Sequence, residues 1–139
     1  MAGLIVLAPS AAFAEPSVTV SGPWFRFLLP GIPAGGYMRL QNPTGHPVLL
    51  TGASSPACGM MALHKTVTMN GIDKMAPVPS ITIPTHGAFT FRPGDYHIMC
   101  MQPRMKPGET VPVTLEFSHA PSVTVRFMVY GANGKPAGQ

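Results

Sequence analysis

The density of proline and glycine is the sequence feature that most restricts the fold of this chain. The 139 residues include 17 prolines and 15 glycines, spread along the whole length. Both residue types interrupt helices, proline because it lacks an amide hydrogen and clashes with the preceding turn, glycine because it loses much backbone entropy. Since 45% of the residues are hydrophobic, the chain can still bury a core, and short extended segments have to build it.

Segments with the β-rich, often alternating pattern of strands lie between these breaks. Turn dipeptides such as Pro30-Gly31 and Pro93-Gly94 separate them. The predicted strands are residues 18–20, 37–41, 48–51, 60–69, 88–91, 96–101, 111–117 and 123–130. Eight or nine short strands at this spacing are typical of a β-sandwich or barrel, so we predict a single all-β domain.

The first fourteen residues differ from the rest of the chain. An apolar stretch at 4–8 precedes the sequence Ala-Phe-Ala at 12–14, a small-x-small cleavage site before Glu15. We therefore predict a signal peptide at 1–14, without its basic n-region, so that the recorded start can lie inside a longer leader. The alternative is a first core strand. The apolar stretch is too short for a transmembrane helix.

The mature protein is then a domain at 15–130 with a loose tail at 131–139, soluble outside the cytoplasm. Its net charge of +4 comes from scattered residues, which predicts a modestly basic surface and no nucleic-acid partner. Cys58 and Cys100 fit an oxidising compartment, where they can pair, although two buried free thiols fit the sequence equally well.

Two histidines and two methionines carry the clearest functional signal. His64, Met75, His97 and Met99 follow the spacing His-X10-Met-X21-His-X-Met. Thioether sulfur and neutral imidazole form a soft, uncharged donor set that suits copper(I), and the site then holds only the ion's own charge. Zinc sites recruit cysteine, histidine or carboxylate, and calcium or magnesium needs oxygen ligands. The four residues therefore predict a copper(I) site.

The turn chemistry of Asn70-Gly71 supports this grouping. Both residue types tolerate the positive φ angles of a two-residue type I′ hairpin. Such a hairpin places Thr66 opposite Met75 and His64 opposite Pro77. Because opposite residues project from the same face, as do residues two apart along a strand, His64 and Met75 become diagonal neighbours on one face.

In the predicted strand 96–101, His97, Met99 and Met101 point one way, whereas Cys100 points the other way, into the core. A blue-copper centre requires a cysteine thiolate beside its histidines, so this orientation argues against an electron carrier. No carboxylate pair, Gly-x-Ser-x-Gly elbow or phosphate loop indicates an enzyme.

The other methionines and histidines have different predicted roles. Met60 and Met101 flank the pocket either as sulfurs that support the ligands or bind copper transiently during exchange, or as hydrophobic cover, and Met61 and Met69 are predicted to lie in the core. The remaining histidines are predicted to be exposed, with no metal role: His46, His86 and His119.

The four-residue motif resembles that of the periplasmic copper chaperones of the PCuAC family. Further similar stretches are residues 33–42, 52–56, 94–99 and 108–115, and the resemblance covers about 17–130. It implies a cupredoxin-like Greek-key β-sandwich that holds copper(I) at an exposed site. It also implies delivery to the CuA centre of cytochrome c oxidase, often alongside a Sco-type thiol protein. Cys58 and Cys100 stand where the family typically has small or aliphatic residues.

The expected function is that of a monomeric periplasmic copper(I) chaperone that releases its ion by ligand exchange. Protonation of His64 or His97 opposes binding, so we expect affinity to fall below about pH 6. Two alternatives remain open at the sequence level. The same site can serve copper buffering or storage, and a metal-free secreted β-sandwich can use its methionine face to dock a protein.

Overall fold

A computed structural model describes Gly3 and residues 16–135 of the chain. These residues form ten strands and no helix, and among them no helix could cross a membrane. The strands are β1 (Thr19–Arg26), β2 (Ala34–Gln41), β3 (Val48–Ser54), β4 (Met60–Met69), β5 (Ile72–Pro77), β6 (Ile81–Ile83), β7 (Ala88–Phe91), β8 (Tyr96–Met101), β9 (Thr110–Ser118) and β10 (Val123–Tyr130). The all-β prediction is confirmed. The predicted signal peptide, apart from Gly3, lies outside the described residues.

The sequence located most strands correctly. Four predicted strands have the observed bounds, namely β4, β7, β8 and β10. The strand predicted at 18–20 begins one residue later and continues to Arg26, because the chain passes Gly22 and Pro23 through a register shift in its pairing with β2. β5 was predicted only as the second arm of a hairpin, and β6 was missed. Its three residues lie between prolines and are too few to show a period.

The ten strands form one continuous hydrogen-bonded path in the order β5-β4-β8-β2-β1-β10-β9-β3-β6, with β7 also paired to β2. All pairings are antiparallel except that of β1 with β10. Leu63 from one end of the path and Ile83 from the other belong to the same buried cluster. Phe25 and Phe127 pack at its centre with ring centroids 4.9 Å apart. The sheet is therefore folded over a single core.

β7 and β8 form one strand with an interruption. β7 pairs with the second half of β2 and β8 with the first half, so both run in the same direction along it. Between them, a tight turn at 92–95 contains Gly94 at a φ of 82° and a hydrogen bond from the amide of Asp95 to the carbonyl of Arg92. After this turn β8 also pairs with β4. β8 therefore lies between β2 and β4, and β4 and β8 together carry three of the four candidate ligands.

Cys58 and Cys100 form a disulfide bond, with Cα atoms 5.4 Å apart. Both residues are buried, Cys100 completely. The bond links the segment before β4 to β8. The sequence allowed either a disulfide or two buried free thiols, and the structure shows the disulfide.

Residues 131–135, the first part of the predicted loose tail, fold back on the domain. The amide of Gly134 donates a hydrogen bond to the carbonyl of Gly131 at 2.9 Å, and Gly134 is buried. A Cβ atom at Gly134 would lie 2.8 Å from a guanidinium nitrogen of Arg26, so the glycine allows the turn to pack against that side chain. Residues 136–139 lie outside the described part of the chain.

Candidate metal centre

The β4–β5 hairpin has the predicted turn and register. Asn70 and Gly71 have φ angles of 55° and 76°, as the central residues of a type I′ turn require. Thr66 pairs with Met75, and His64 pairs with Pro77. His64 and Met75 are therefore diagonal neighbours on one face, and the prediction of this pairing is confirmed.

A second pairing brings the other half of the motif to the same face. His64 of β4 is the direct cross-strand partner of His97 of β8, and their ring centroids lie 5.7 Å apart at an angle of 79°. Met99 is two residues from His97 and therefore projects from the same side of the sheet. The structure thus places His64, Met75, His97 and Met99 on one face of the three strands β5, β4 and β8.

Two buried imidazole nitrogens on this face lack partners. His97 is only 3% exposed, and its Nδ1 lies 3.1 Å from the carbonyl oxygen of Asp95. Because a carbonyl can only accept, Nδ1 carries the proton and Nε2 presents a lone pair. His97 Nε2 and His64 Nδ1 are both buried without a hydrogen-bond partner among the described residues. Each such atom costs about 1–3 kcal/mol, and a metal ion would satisfy both.

Burial also keeps His97 in the neutral form. The loss of solvent around the ring lowers its pKa below the ordinary value, because it penalises the charged imidazolium. The hydrogen bond to the Asp95 carbonyl opposes this shift, and the nearby His64 adds to it. The neutral ring is the form that can bind a metal.

The two thioethers differ strongly in exposure. Met99 is 6% exposed, whereas Met75 is 59% exposed at the edge of the sheet. Met75, His97 and Met99 line a cleft of about 320 Å³, and His64 lies beside His97 outside its wall. The other residues around the cleft are Arg26, Leu28, Pro33, Gly35, Tyr37, Thr66, Asp73, Lys74, Pro93 and Gly94. The centre is therefore dry on the β8 side and open at Met75.

Tyr37 covers the β2 side of the centre, which sequence reasoning missed. Gly35 is the cross-strand neighbour of Met99, and a Cβ atom there would lie 2.6 Å from the Tyr37 hydroxyl. The ring of Tyr37 lies 6.5 Å from that of His97 and 4.7 Å from that of Trp24. Burial raises the pKa of Tyr37, and the nearby Arg26 partly offsets that rise. The sequence signal that could have indicated this cover was the alternation of Gly35 and Tyr37, because residues two apart in a strand project from the same face.

The remaining methionines correct one prediction. Met61 packs against the core as expected, but Met69 is 61% exposed, so its predicted core position is wrong. β8 pairs with β4 only as far as Lys65, and the hairpin tip extends beyond it without a covering layer. Met60 is also exposed, and Met101 is half-buried.

The other histidines, His46, His86 and His119, are exposed and lie outside the strands, as predicted. The Nε2 atom of His46 lies 2.7 Å from the carbonyl oxygen of His119, to which it donates a hydrogen bond. Among residues 16–135, no group of three or more His, Cys, Asp or Glu side chains could hold a metal. The candidate centre therefore depends on methionine. Fold and site together define the class: a small β-sandwich protein with two imidazoles and two thioethers on one face of its sheet.

Comparison with known proteins identifies the family. The family model "Putative lipoprotein LpqE-like" matches residues 18–129, and the chain belongs to this family. The protein "Putative lipoprotein Lxx21020" of Leifsonia xyli subsp. xyli (strain CTCB07) is 31% identical over 120 residues, which is 84% of this chain and 72% of that protein.

Solved structures confirm the PCuAC-type resemblance and the cupredoxin-like fold. Apo-DR1885 from Deinococcus radiodurans is 31% identical with a TM-score of 0.61, over 94% of this chain and 92% of the other. The structure described as CuI-DR1885 is 29% identical with a TM-score of 0.59, over 88% and 83%. The copper-bound PCuAC domain from PmoF2 has the same fold, with 24% identity and a TM-score of 0.70 over 86% and 97%.

Proposed function

We propose that this protein is an exported copper(I) carrier that holds its ion between His64, Met75, His97 and Met99. The observation that carries the proposal is the pair of buried nitrogens on His64 and His97 that have no hydrogen-bond partner within residues 16–135, on two cross-strand neighbours of the methionine face. The copper in the PmoF2 domain and the copper(I) in DR1885 support the choice of ion.

The chemistry of the donors favours copper(I) over other ions. All four donors are neutral, so the bound ion adds a single positive charge to a partly dry site. Thioether sulfur is a poor ligand for hard cations, and copper(II) prefers harder, more tetragonal surroundings. His97 is held in one orientation by the Asp95 carbonyl, an arrangement common among histidines that bind metals.

The uneven exposure of the two thioethers fits a carrier that gives up its ion. His97 and Met99 are buried, and Met75 is exposed on an edge strand. An acceptor with thiolate ligands can therefore displace Met75 first, while His97 and Met99 still hold the ion. This exchange breaks and forms only metal–ligand bonds and converts no substrate into a product, so the proposed role is that of a carrier and not of an enzyme.

The proposed destination is the CuA centre of cytochrome c oxidase in the periplasm, with a Sco-type thiol protein as a possible partner in assembly. The disulfide supports export, because such bonds persist in oxidising compartments. Copper buffering or storage is the second candidate, since the same donor set serves it.

Copper(I) titration against a chromogenic chelator tests the site. In competition with the chelator the wild-type protein should retain one equivalent, and Met75→Leu/Met99→Leu should weaken this binding about 10- to 100-fold or more, with little effect on folding because leucine matches methionine in volume. Met69→Leu is the matched control, since Met69 is equally exposed but faces the other way. If all three proteins failed to bind copper(I) stoichiometrically, the metal-free docking module would be favoured.

Transfer to an apo CuA domain separates delivery from storage. A delivery protein loaded with copper(I) should assemble the acceptor centre, which is detected by its purple absorbance in the presence of an oxidant. Retention of the copper despite an excess of acceptor would contradict the proposed delivery and favour storage.

A further inference from the structure

Two more methionines lie on the same face as the candidate copper site. Met60 of β4 is the direct cross-strand partner of Met101 of β8, and Ala62 is the partner of Met99. His64 and His97 form the next pair of side chains on this face of the two strands. Opposite side chains on one face have Cβ atoms about 4.5–5.5 Å apart. The face therefore carries three successive rungs: a pair of histidines, an alanine with a methionine, and a pair of methionines.

Core packing does not account for Met60. Its side chain is 60% exposed, whereas the neighbouring Met61 points to the opposite face and packs against the core. A large apolar side chain left in solvent gains no burial energy. Met101 is half-buried opposite it, so the two thioethers meet at an accessible part of the sheet.

Met99 connects this methionine pair to the histidine pair. It lies two residues from Met101, about 6.6–6.8 Å along the strand, and it is the diagonal neighbour of Met60 at about 7–8 Å. Ala62 stands opposite Met99, and its side chain is too small to separate the two rungs. The three flexible thioethers of Met60, Met99 and Met101 can therefore approach a common point. Among these three residues, Met99 is also next to the histidine pair on the same face.

We propose that Met60, Met99 and Met101 form a second, weaker copper(I) site, through which the ion moves between the histidine site and solvent. The inference depends on the proposed function of the first site, because Met99 belongs to both. Three neutral thioethers suit copper(I), and the absence of imidazole from this set makes it the weaker one.

The movement is a ligand exchange without electron or proton transfer. Met99 keeps its bond to the ion while the bonds to Met75 and the two imidazoles break and bonds to Met60 and Met101 form. Copper stays in the +1 state, and every donor is neutral before and after the exchange.

Methionine-methyl NMR under anaerobic conditions tests the second site with copper(I) itself as the probe. The first equivalent should shift the methyl signals of Met75 and Met99, and the second should shift Met60 and Met101, with the two lone pairs of the Met99 sulfur bridging the two ions. The methyl signal of Met69 should not shift at either step, because its side chain projects from the opposite face. A second equivalent that leaves Met60 and Met101 unshifted, or shifts Met69 as strongly, would overturn the inference.

The same spectra keep the two proposals apart. Shifts at Met75 and Met99 without later shifts at Met60 and Met101 leave the proposed function intact and end the inference alone. If the first equivalent shifts neither Met75 nor Met99, the proposed function fails, and the shared site fails with it.

The transfer rate tests the path. Met60→Leu/Met101→Leu should bind the first equivalent with wild-type affinity but release it to a chelator about fivefold more slowly. Met69→Leu, as the control, should release copper at the wild-type rate. An unchanged release rate in the double variant would show that copper leaves by another path.

Discussion

His97 is the residue whose environment most shapes the candidate centre. Its ring is buried, its Nδ1 proton is held by the Asp95 carbonyl, and its Nε2 has no partner among the described residues. The turn at 92–95 places that carbonyl, so a local backbone feature fixes which nitrogen faces the site. An ordinary surface histidine would satisfy both nitrogens with water and would offer a metal no such preference.

The lowered pKa of His97 predicts a pH dependence of stability in the metal-free protein. The unfolded chain binds a proton at His97 near pH 6.5, whereas the folded chain binds it only at lower pH because burial penalises the charge. The unfolded state thus holds more protons just below pH 6.5, and stability should decrease as the pH falls through this window. Urea unfolding at several pH values, with NMR titration of the ring, measures both quantities. A His97 pKa at or above 6.5 would contradict this account.

At the scale of elements, the β4–β5 hairpin controls the exposed ligand. β5 is an edge strand that pairs only with β4, so nothing else in the sheet fixes the position of Met75. The turn sets the register, and a shift of one residue would move Met75 to the opposite face. The Asn70-Gly71 turn therefore determines whether Met75 lies on the same face as His64.

Gly71→Ala should destabilise the hairpin and weaken copper(I) binding. Gly71 has a φ of 76°, where an alanine side chain costs about 1–2 kcal/mol, although no atom lies within 4 Å of the added Cβ. Gly45→Ala is a matched control, since its surroundings are equally open and its φ is not positive. Chemical unfolding and the chelator titration measure the two effects. Equal stability of the two variants would show that the turn conformation is not what holds the hairpin.

β8 shows how an element can serve core and site together. Its Ile98 and Cys100 are fully buried in the core, while His97 and Met99 are buried on the opposite face. The strand was expected to present its histidine and methionines toward a surface, but the cover from Tyr37 and the neighbouring strands makes that face nearly dry. This burial removes the Nε2 atom of His97 from solvent.

At the scale of the whole molecule, the disulfide closes a long loop. Cys58 and Cys100 are separated by 42 residues, and the bond links the start of β4 to β8. A loop of this length lowers the entropy of the unfolded chain by an amount equivalent to about 4 kcal/mol. Both sulfurs lie on the core side of the sheet, away from the candidate ligands.

Cys58→Ala/Cys100→Ala should therefore lower the free energy of unfolding by about 4 kcal/mol and leave copper(I) affinity of the folded protein unchanged. Thermal and urea unfolding measure the first effect, and the chelator titration measures the second. Reductant should destabilise the wild-type protein and have no effect on the double variant. A loss of copper binding in a folded double variant would show that the bond also shapes the donor face.

The sequence by itself determined the features that depend on local geometry. The bounds of β4, β7, β8 and β10, the Asn70-Gly71 turn and the side to which each of their residues points follow from a period of two and from turn chemistry. These rules placed His64 with Met75 on one face, and His97 with Met99 on another strand. They failed at Met69, because a period of two gives the face of a residue but not whether anything covers it.

Only the tertiary structure decided which faces meet. His64 and His97 became neighbours because β4 pairs with β8 across a long stretch of intervening chain, and the same pairing brought Cys58 to Cys100. Tyr37 joined the centre through β2 in the same way. Such contacts depend on how the whole chain closes over its core. A local pattern therefore limits the possible pairings of strands, but the packing of all ten strands together selects one.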